Sequence, residues 1–195
     1  MTTRDRILDA ALTLFNESGT SAASTNHIAA AAGISPGNLY YHFKNKEEII
    51  AALFERIFAE HDRVFTLAED RLPTVDDLSG LVRANFDVLW QYRFVYRELM
   101  ALLRRDAKLF ERWLIVRRRG YDGFRYLLSI FVAAGVIPAP KDTAAAEGLA
   151  DLCWLIGEFW LASLEVGGHT VKPAELDRGV ALMLQVLNPN IDPTN

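Results

Sequence analysis

A single cysteine, Cys153, stands in 195 residues, so no disulfide can form within the chain. Folds that depend on disulfide staples are excluded, and the composition suits a reducing compartment, with the cytoplasm as the expected location. The setting of that cysteine, DLCWLIG, is apolar, which makes it a small buried hydrophobe rather than a reactive thiol. Long hydrophobic runs are also missing. A membrane helix needs roughly 20 apolar residues. Asp151 and Glu158 interrupt the best candidate, and Gly135 and Pro138 end the other. The opening segment, MTTRDRILDA, is too charged for a secretory signal. His27, His42, His61 and His169 are scattered, with no Cys/His spacing that would hold a metal. A Gly-rich phosphate loop and a GxSxG elbow are absent too, so no enzyme activity, cofactor or metal is expected. Nor is there a basic coat, since the net charge is −4. Yet residues 1–46 set Arg4, Arg6, Lys44 and Lys46 against Asp5, Asp9 and Glu17, a net of +1 that leaves −5 for the rest. A nucleic-acid surface on this chain must be local.

What is present is hydrophobic residues, at 51%, spaced for helices. Nearly every segment repeats its apolar positions at three and four residues rather than two. The expected fold is all-α, about nine helices with no convincing strand. Thr2 or Thr3 opens the first helix and Gly19 ends it, with Ile7, Leu8, Ala11, Leu12 and Phe15 on one side. Asn45 caps a long fourth helix, with Glu48 as its capping-box partner and an end near Ala68. Along it, Ile49 and Leu53 are expected to pack on a small N-terminal domain, and Phe58 and Phe65 on a larger one. Pro73 breaks the chain, and Thr74 with Asp77 suits another capping box. Long helices follow over about 107–134 and 142–166, and Pro173 starts the last, which Asn188 and Pro189 stop. The tail is polar and expected to be loose.

One stretch asks for more than packing: Ser24 to Lys46, STNHIAAAAGISPGNLYYHFKNK. It reads as two short helices around a tight turn. Ser24 or Thr25 caps the first, and Ile28, Ala29 and Ala32 form a narrow apolar face. Gly33 sits where the chain must leave that helix, a position that favours left-handed backbone. Ile34 plugs the turn, Ser35 caps the second helix, and Pro36 takes its first position. Leu39 and Phe43, four apart, face inward. Gly37, Asn38, Tyr41 and His42 are left outside. A small residue there permits close approach to DNA, and Asn38 can pair with adenine in the major groove. Tyr41, His42, Lys44 and Lys46 can hold phosphates.

Residues from about Arg4 to Leu53 resemble the DNA-binding domain of the TetR/AcrR family of bacterial transcriptional regulators. The matching residues include Ile7, Ala10, Ala11, Phe15 and Gly19, then Ile28, Ala29, Ala32 and Gly33, then the GNLYYHF run with Lys46, Glu47 and Ile50. Asn26 stands where many members carry an arginine, and Ala30 where many carry a charge. The resemblance implies a helix-turn-helix domain over residues 1–46. Residues 47–195 would form a helical ligand-binding and dimerisation domain that begins with the long connecting helix. It further implies DNA contacts from Thr25, Asn26, Ser35, Pro36, Gly37, Asn38, Tyr40, Tyr41, His42, Lys44 and Lys46.

All four tryptophans lie beyond residue 86. Bulky rings on different helices leave gaps, and ligand sites in helical bundles are lined this way. The expected lining is Phe86, Trp90, Phe94, Trp113, Phe124, Phe131, Trp154 and Phe159, around a small, apolar effector. The last two long helices carry Leu149, Leu152, Leu155, Ile156, Phe159, Leu164, Val180, Leu184 and Leu187. So much apolar surface implies burial against more than one partner, here a homodimer. The basic run from Arg104 to Arg119 reads as a solvated face pairing with acids. A phosphate patch and an anchor for an anionic ligand are its alternatives. The chain is thus expected to bind double-stranded operator DNA as a repressor released by effector, with no membrane partner. The alternative is a helical small-molecule or lipid-binding protein without operator function.

Overall fold

The computed structural model describes residues 1–67 and 71–190. Among them are nine helices and no strand: α1 (Thr3–Ser18), α2 (Thr25–Ala31), α3 (Pro36–His42), α4 (Lys46–Val64), α5 (Val75–Gln91), α6 (Arg93–Arg105), α7 (Ala107–Ala133), α8 (Thr143–Val166) and α9 (Pro173–Leu187). The capping residues expected from sequence act as caps. Thr2 and Asp5 form a reciprocal box at α1, with the Thr2 hydroxyl accepting from Asp5 N–H at 3.1 Å. At α4, Asn45 Oδ1 accepts from Glu48 N–H at 2.9 Å, but Glu48 reaches one residue further back, to Lys44 N–H at 2.8 Å. Helix α4 closes at Val64. The expected end near Ala68 and most of the loose polar tail, from residue 191, lie outside the described residues.

Packing divides the chain into two compact units: Met1–Glu60 with Tyr92–Phe110, and His61–Gln91 with residues from Glu111 onward. This division does not follow the boundary expected after residue 46. Most of α4 and all of α6 pack with the first three helices. Phe58, expected against the larger domain, belongs to the first unit, buried edge-on to Phe54.

The core of the first unit joins Ile7, Leu8, Ala11 and Phe15 to Ile28, Leu39, Ile49, Leu53, Phe54, Ile57 and Phe94. Phe15 and Phe94 lie 5.3 Å apart between ring centroids. The break between α5 and α6, at Tyr92, is announced by no glycine or proline. It is fixed by tertiary contacts instead. The buried side chain of Asn16 accepts from Phe94 N–H at 3.1 Å, which caps the first turn of α6 from α1. Arg97 donates to the Asn16 carbonyl at 3.3 Å.

In the second unit, α5 and α9 approach closely at Gly179. A Cβ there would meet the Phe86 ring and would lie 2.7 Å from Trp160 Nε1. That indole N–H donates to the Glu175 carbonyl at 2.9 Å. Asp142 caps α8, accepting from Ala145 N–H at 2.8 Å. The loop before it is not purely polar: Val136 and Ile137 are buried, and the Asn188 amide donates to the Val136 carbonyl at 2.7 Å. On α7, Leu128 and Phe131 are buried, whereas Trp113, Val116, Phe124 and Leu127 are only half-buried.

Candidate nucleic-acid interface

The motif over Ser24–Lys46 is built by local bonds. Ser24 is the cap of α2: its hydroxyl accepts from His27 N–H at 3.2 Å, and His27 Nδ1 accepts from Ser24 N–H at 3.4 Å. Thr25 takes another part, with its hydroxyl 3.0 Å from Tyr40 Oη, which ties the start of α2 to α3. Gly33 has φ +64°, so the turn needs a glycine. Arg6 braces this turn by donating to the Ala32 carbonyl at 2.5 Å. The Ser35 hydroxyl accepts from Asn38 N–H at 3.2 Å, with Pro36 in the first turn.

These bonds fix which side of α3 is open. Leu39 and Phe43 are buried, Gly37 and Asn38 are exposed, and Tyr41 is 84% exposed. Nothing lies within 4 Å of a Cβ built at Gly37, so the fold itself does not require glycine there. His42 departs from expectation: it is half-buried, with Tyr41 set edge-on to it at 5.2 Å. Asn26, Pro36, Tyr40 and Lys44 are exposed.

Lys46 is also placed differently from a simple phosphate contact. Its ammonium donates to the carbonyls of Thr20 at 2.5 Å and Ala23 at 3.0 Å, holding the loop that leads into α2. An ammonium has three donors, so one remains after these two bonds. From the other side the same loop is held by Glu98 of α6, whose carboxylate accepts from Thr20 N–H at 2.9 Å and from its hydroxyl at 2.5 Å. Arg6, Asn16, Thr20 and Glu98 therefore shape the interface from behind. Sequence reading missed all four because none sits on the motif's outer face.

The aromatic residues expected to line a ligand site do not gather at one place. Phe94 lies in the core of the first unit, and the other seven lie in the second. Phe86 and Phe131 are each 1% exposed, and Phe159 is 38% exposed. Phe124 and Trp154 do meet, at 6.2 Å between centroids, and Tyr121 joins them at 5.4 Å from Trp154. A cleft of about 510 Å³ opens beside α7 and α8, lined in part by Arg125, Leu128, Val132, Pro140 and Leu149. None of the expected aromatic residues lines it.

Within the basic run, Arg117 pairs with buried Glu158 at 2.6 Å and Arg119 with Asp62 at 2.5 Å. Cys153 is buried, and burial pushes its thiol up to about 12. Among the described residues no group of acids, histidines and cysteines is placed to hold a metal, and no helix is long and apolar enough to cross a membrane.

Comparison with known proteins agrees with this geometry. Residues 7–53 match the family model of bacterial regulatory proteins of the tetR family, and residues 58–195 match that of the TetR bacterial transcriptional repressor. Over 90 residues the chain is 33% identical to the HTH-type transcriptional repressor KstR2 of Mycolicibacterium smegmatis, covering 44% of this chain and 42% of that one. The chain spans about half the length of the curated relatives it matches. A TetR-family transcriptional regulator from Marinobacter aquaeolei VT8 is alike throughout, with a TM-score of 0.86 and 34% identity over 100% of this chain and 93% of that one. SmeT, solved as a complex with triclosan, has a TM-score of 0.63 and 27% identity over 96% and 90% of the two chains. A capped helix-turn-helix with one side of α3 open, followed by a helical unit that matches the same family, means that this chain belongs to the TetR family of bacterial transcriptional regulators.

Proposed function

We propose that this protein is a cytoplasmic repressor that binds a palindromic operator as a homodimer and leaves it when a small, apolar effector binds. The observation that carries this reading is the exposure of Gly37, Asn38 and Tyr41 on a helix whose Leu39 and Phe43 are buried. Residues 1–46 supply the operator contacts and residues 47–195 the effector and dimer functions. Asn38 reads a base edge, while Tyr41, Lys44 and Lys46 hold phosphates. A lone helix-turn-helix reaches too few bases for selectivity, and two copies spaced along one face of the duplex remedy that. Helix α8 supports the dimer: Leu152 and Leu155 are each 53% exposed and Phe159 38%, at a spacing that puts them on one side. Effector and operator then oppose each other by linkage, each weakening the other's binding by one factor, typically about 1–3 kcal/mol.

The test is a gel shift with DNA flanking the gene, followed by footprinting. Retention of a fragment, with protection of two half-sites about one helical turn apart, supports the reading. A protein that binds apolar compounds but retains no fragment above random DNA would instead be a ligand-binding protein without operator function. Sedimentation at micromolar concentration tests the dimer, and a stable monomer would count against it.

A further inference from the structure

A polar and aromatic cluster outside the DNA-reading motif lies where α7 faces α8. Arg117, Gly120, Tyr121 and Phe124 recur at helical spacing on α7, and Trp154 and Glu158 on α8. The Trp154 ring edge rests on Gly120, 3.1 Å from where a Cβ would stand. Tyr121 and Phe124 meet that ring edge-on, and Arg117 lies over it at 5.6 Å. Glu158 is buried and bound by two donors of Arg117, Nε at 2.6 Å and Nη2 at 3.0 Å. Trp154 Nε1 is buried and, among the described residues, has no hydrogen-bond partner. A buried donor without an acceptor is costly, and native structures keep few of them without a functional reason.

We infer that this cluster is the effector's recognition point, and that the effector is an uncharged aromatic compound whose oxygen accepts from Trp154 Nε1. This rests on the effector-responsive reading above and sharpens it. Charge decides the class. Arg117 already gives Nε and Nη2 to Glu158, so a carboxylate entering here would meet a buried carboxylate and compete with it for the same guanidinium. A cation would have to displace Arg117. A neutral carbonyl or hydroxyl needs neither change, and Tyr121 and Phe124 offer ring edges and faces to an aromatic body.

The full-length protein is titrated by equilibrium dialysis with three probes of similar shape: 1-acetylnaphthalene, 1-ethylnaphthalene and 1-naphthoate. The ketone is expected to bind at least tenfold tighter than the hydrocarbon and than the anion. Trp154→Phe should bring the ketone close to the hydrocarbon while leaving hydrocarbon affinity within about twofold. Glu158→Gln, which frees a donor of Arg117, should raise affinity for 1-naphthoate at least fivefold. Melting curves establish that each variant is folded. A ketone preference that survives Trp154→Phe, a preference for the anion in the unaltered protein, or no binding of any probe at 1 mM overturns the inference. Operator retention is measured on the same samples. Retained operator binding with a failed probe series rejects this site and leaves the repressor reading standing.

Discussion

Glu98 holds Thr20 with both carboxylate oxygens, one on the backbone N–H at 2.9 Å and one on the hydroxyl at 2.5 Å, across 78 residues of chain. Thr20 is 1% exposed, so neither donor has water as a substitute. Gly19 makes room: its φ is +81°, and a Cβ there would lie 2.8 Å from Glu98 Oε1. Glu98→Ala is therefore expected to lower stability by about 1–3 kcal/mol, the cost of stranding buried donors. Glu98→Gln, which keeps an acceptor, should lose less. Thermal melts check the order. Equal losses in the two variants would mean that the contact acts through packing alone.

Asn38 and Lys46 are expected to affect DNA binding in different ways. Asn38→Ala should relax preference at one position in each half-site, costing about 1–3 kcal/mol there, with unchanged melting. Lys46→Ala should weaken all sequences alike, and it should also lower the melting temperature, because its ammonium holds the Thr20 and Ala23 carbonyls. The salt dependence of binding for each variant separates the contributions. A reduced salt slope for Lys46→Ala marks a phosphate contact. An unchanged slope assigns the residue to loop support alone.

Two glycines in helices should respond oppositely to alanine. Gly179 faces Phe86 and Trp160, and the added Cβ would overlap both, so Gly179→Ala is expected to cost about 1–3 kcal/mol by overpacking. Gly80 in α5 has nothing within 4 Å of a Cβ, so Gly80→Ala should gain about 0.5–1 kcal/mol through helix propensity. Chemical denaturation of the two variants gives both signs, and a stabilised Gly179→Ala would show that α5 and α9 can move apart freely.

Acid sensitivity should concentrate below pH 4. The Thr2 hydroxyl and backbone N–H, with a smaller contribution from Arg56, hold Asp5 at about 2, below its ordinary 3.8. Asp77 is also held low, chiefly by Arg71 and then by Thr74. A carboxyl depressed in the folded state stabilises fully above its unfolded pKa, and that contribution disappears as pH falls through the folded value. Melting temperature should thus fall between pH 4 and pH 2, and Asp5→Asn should flatten part of that slope. An unchanged slope in Asp5→Asn would remove the α1 cap from the account.

Much of this molecule follows from local sequence. Ser24, Ser35, Asn45, Thr74 and Asp142 cap the helices expected of them, because a cap needs only a side-chain oxygen and the N–H groups two or three residues on. Gly33 and the Leu39–Phe43 pair likewise made the turn and the buried side of α3 readable, and the open side followed by subtraction. Other features depended on partners far along the chain. The break at Tyr92 exists because Asn16 of α1 supplies the cap that the local sequence lacks. Lys46 points to backbone carbonyls rather than only outward because the start of α4 lies beside the loop between α1 and α2, and Phe94 joins Phe15 because α6 packs with the first three helices. Arg117, which read as one member of a solvated run, meets Glu158 only when α7 lies along α8. Local bonds are set by spacing in sequence, whereas these long-range pairs require the packed helices to bring their side chains together.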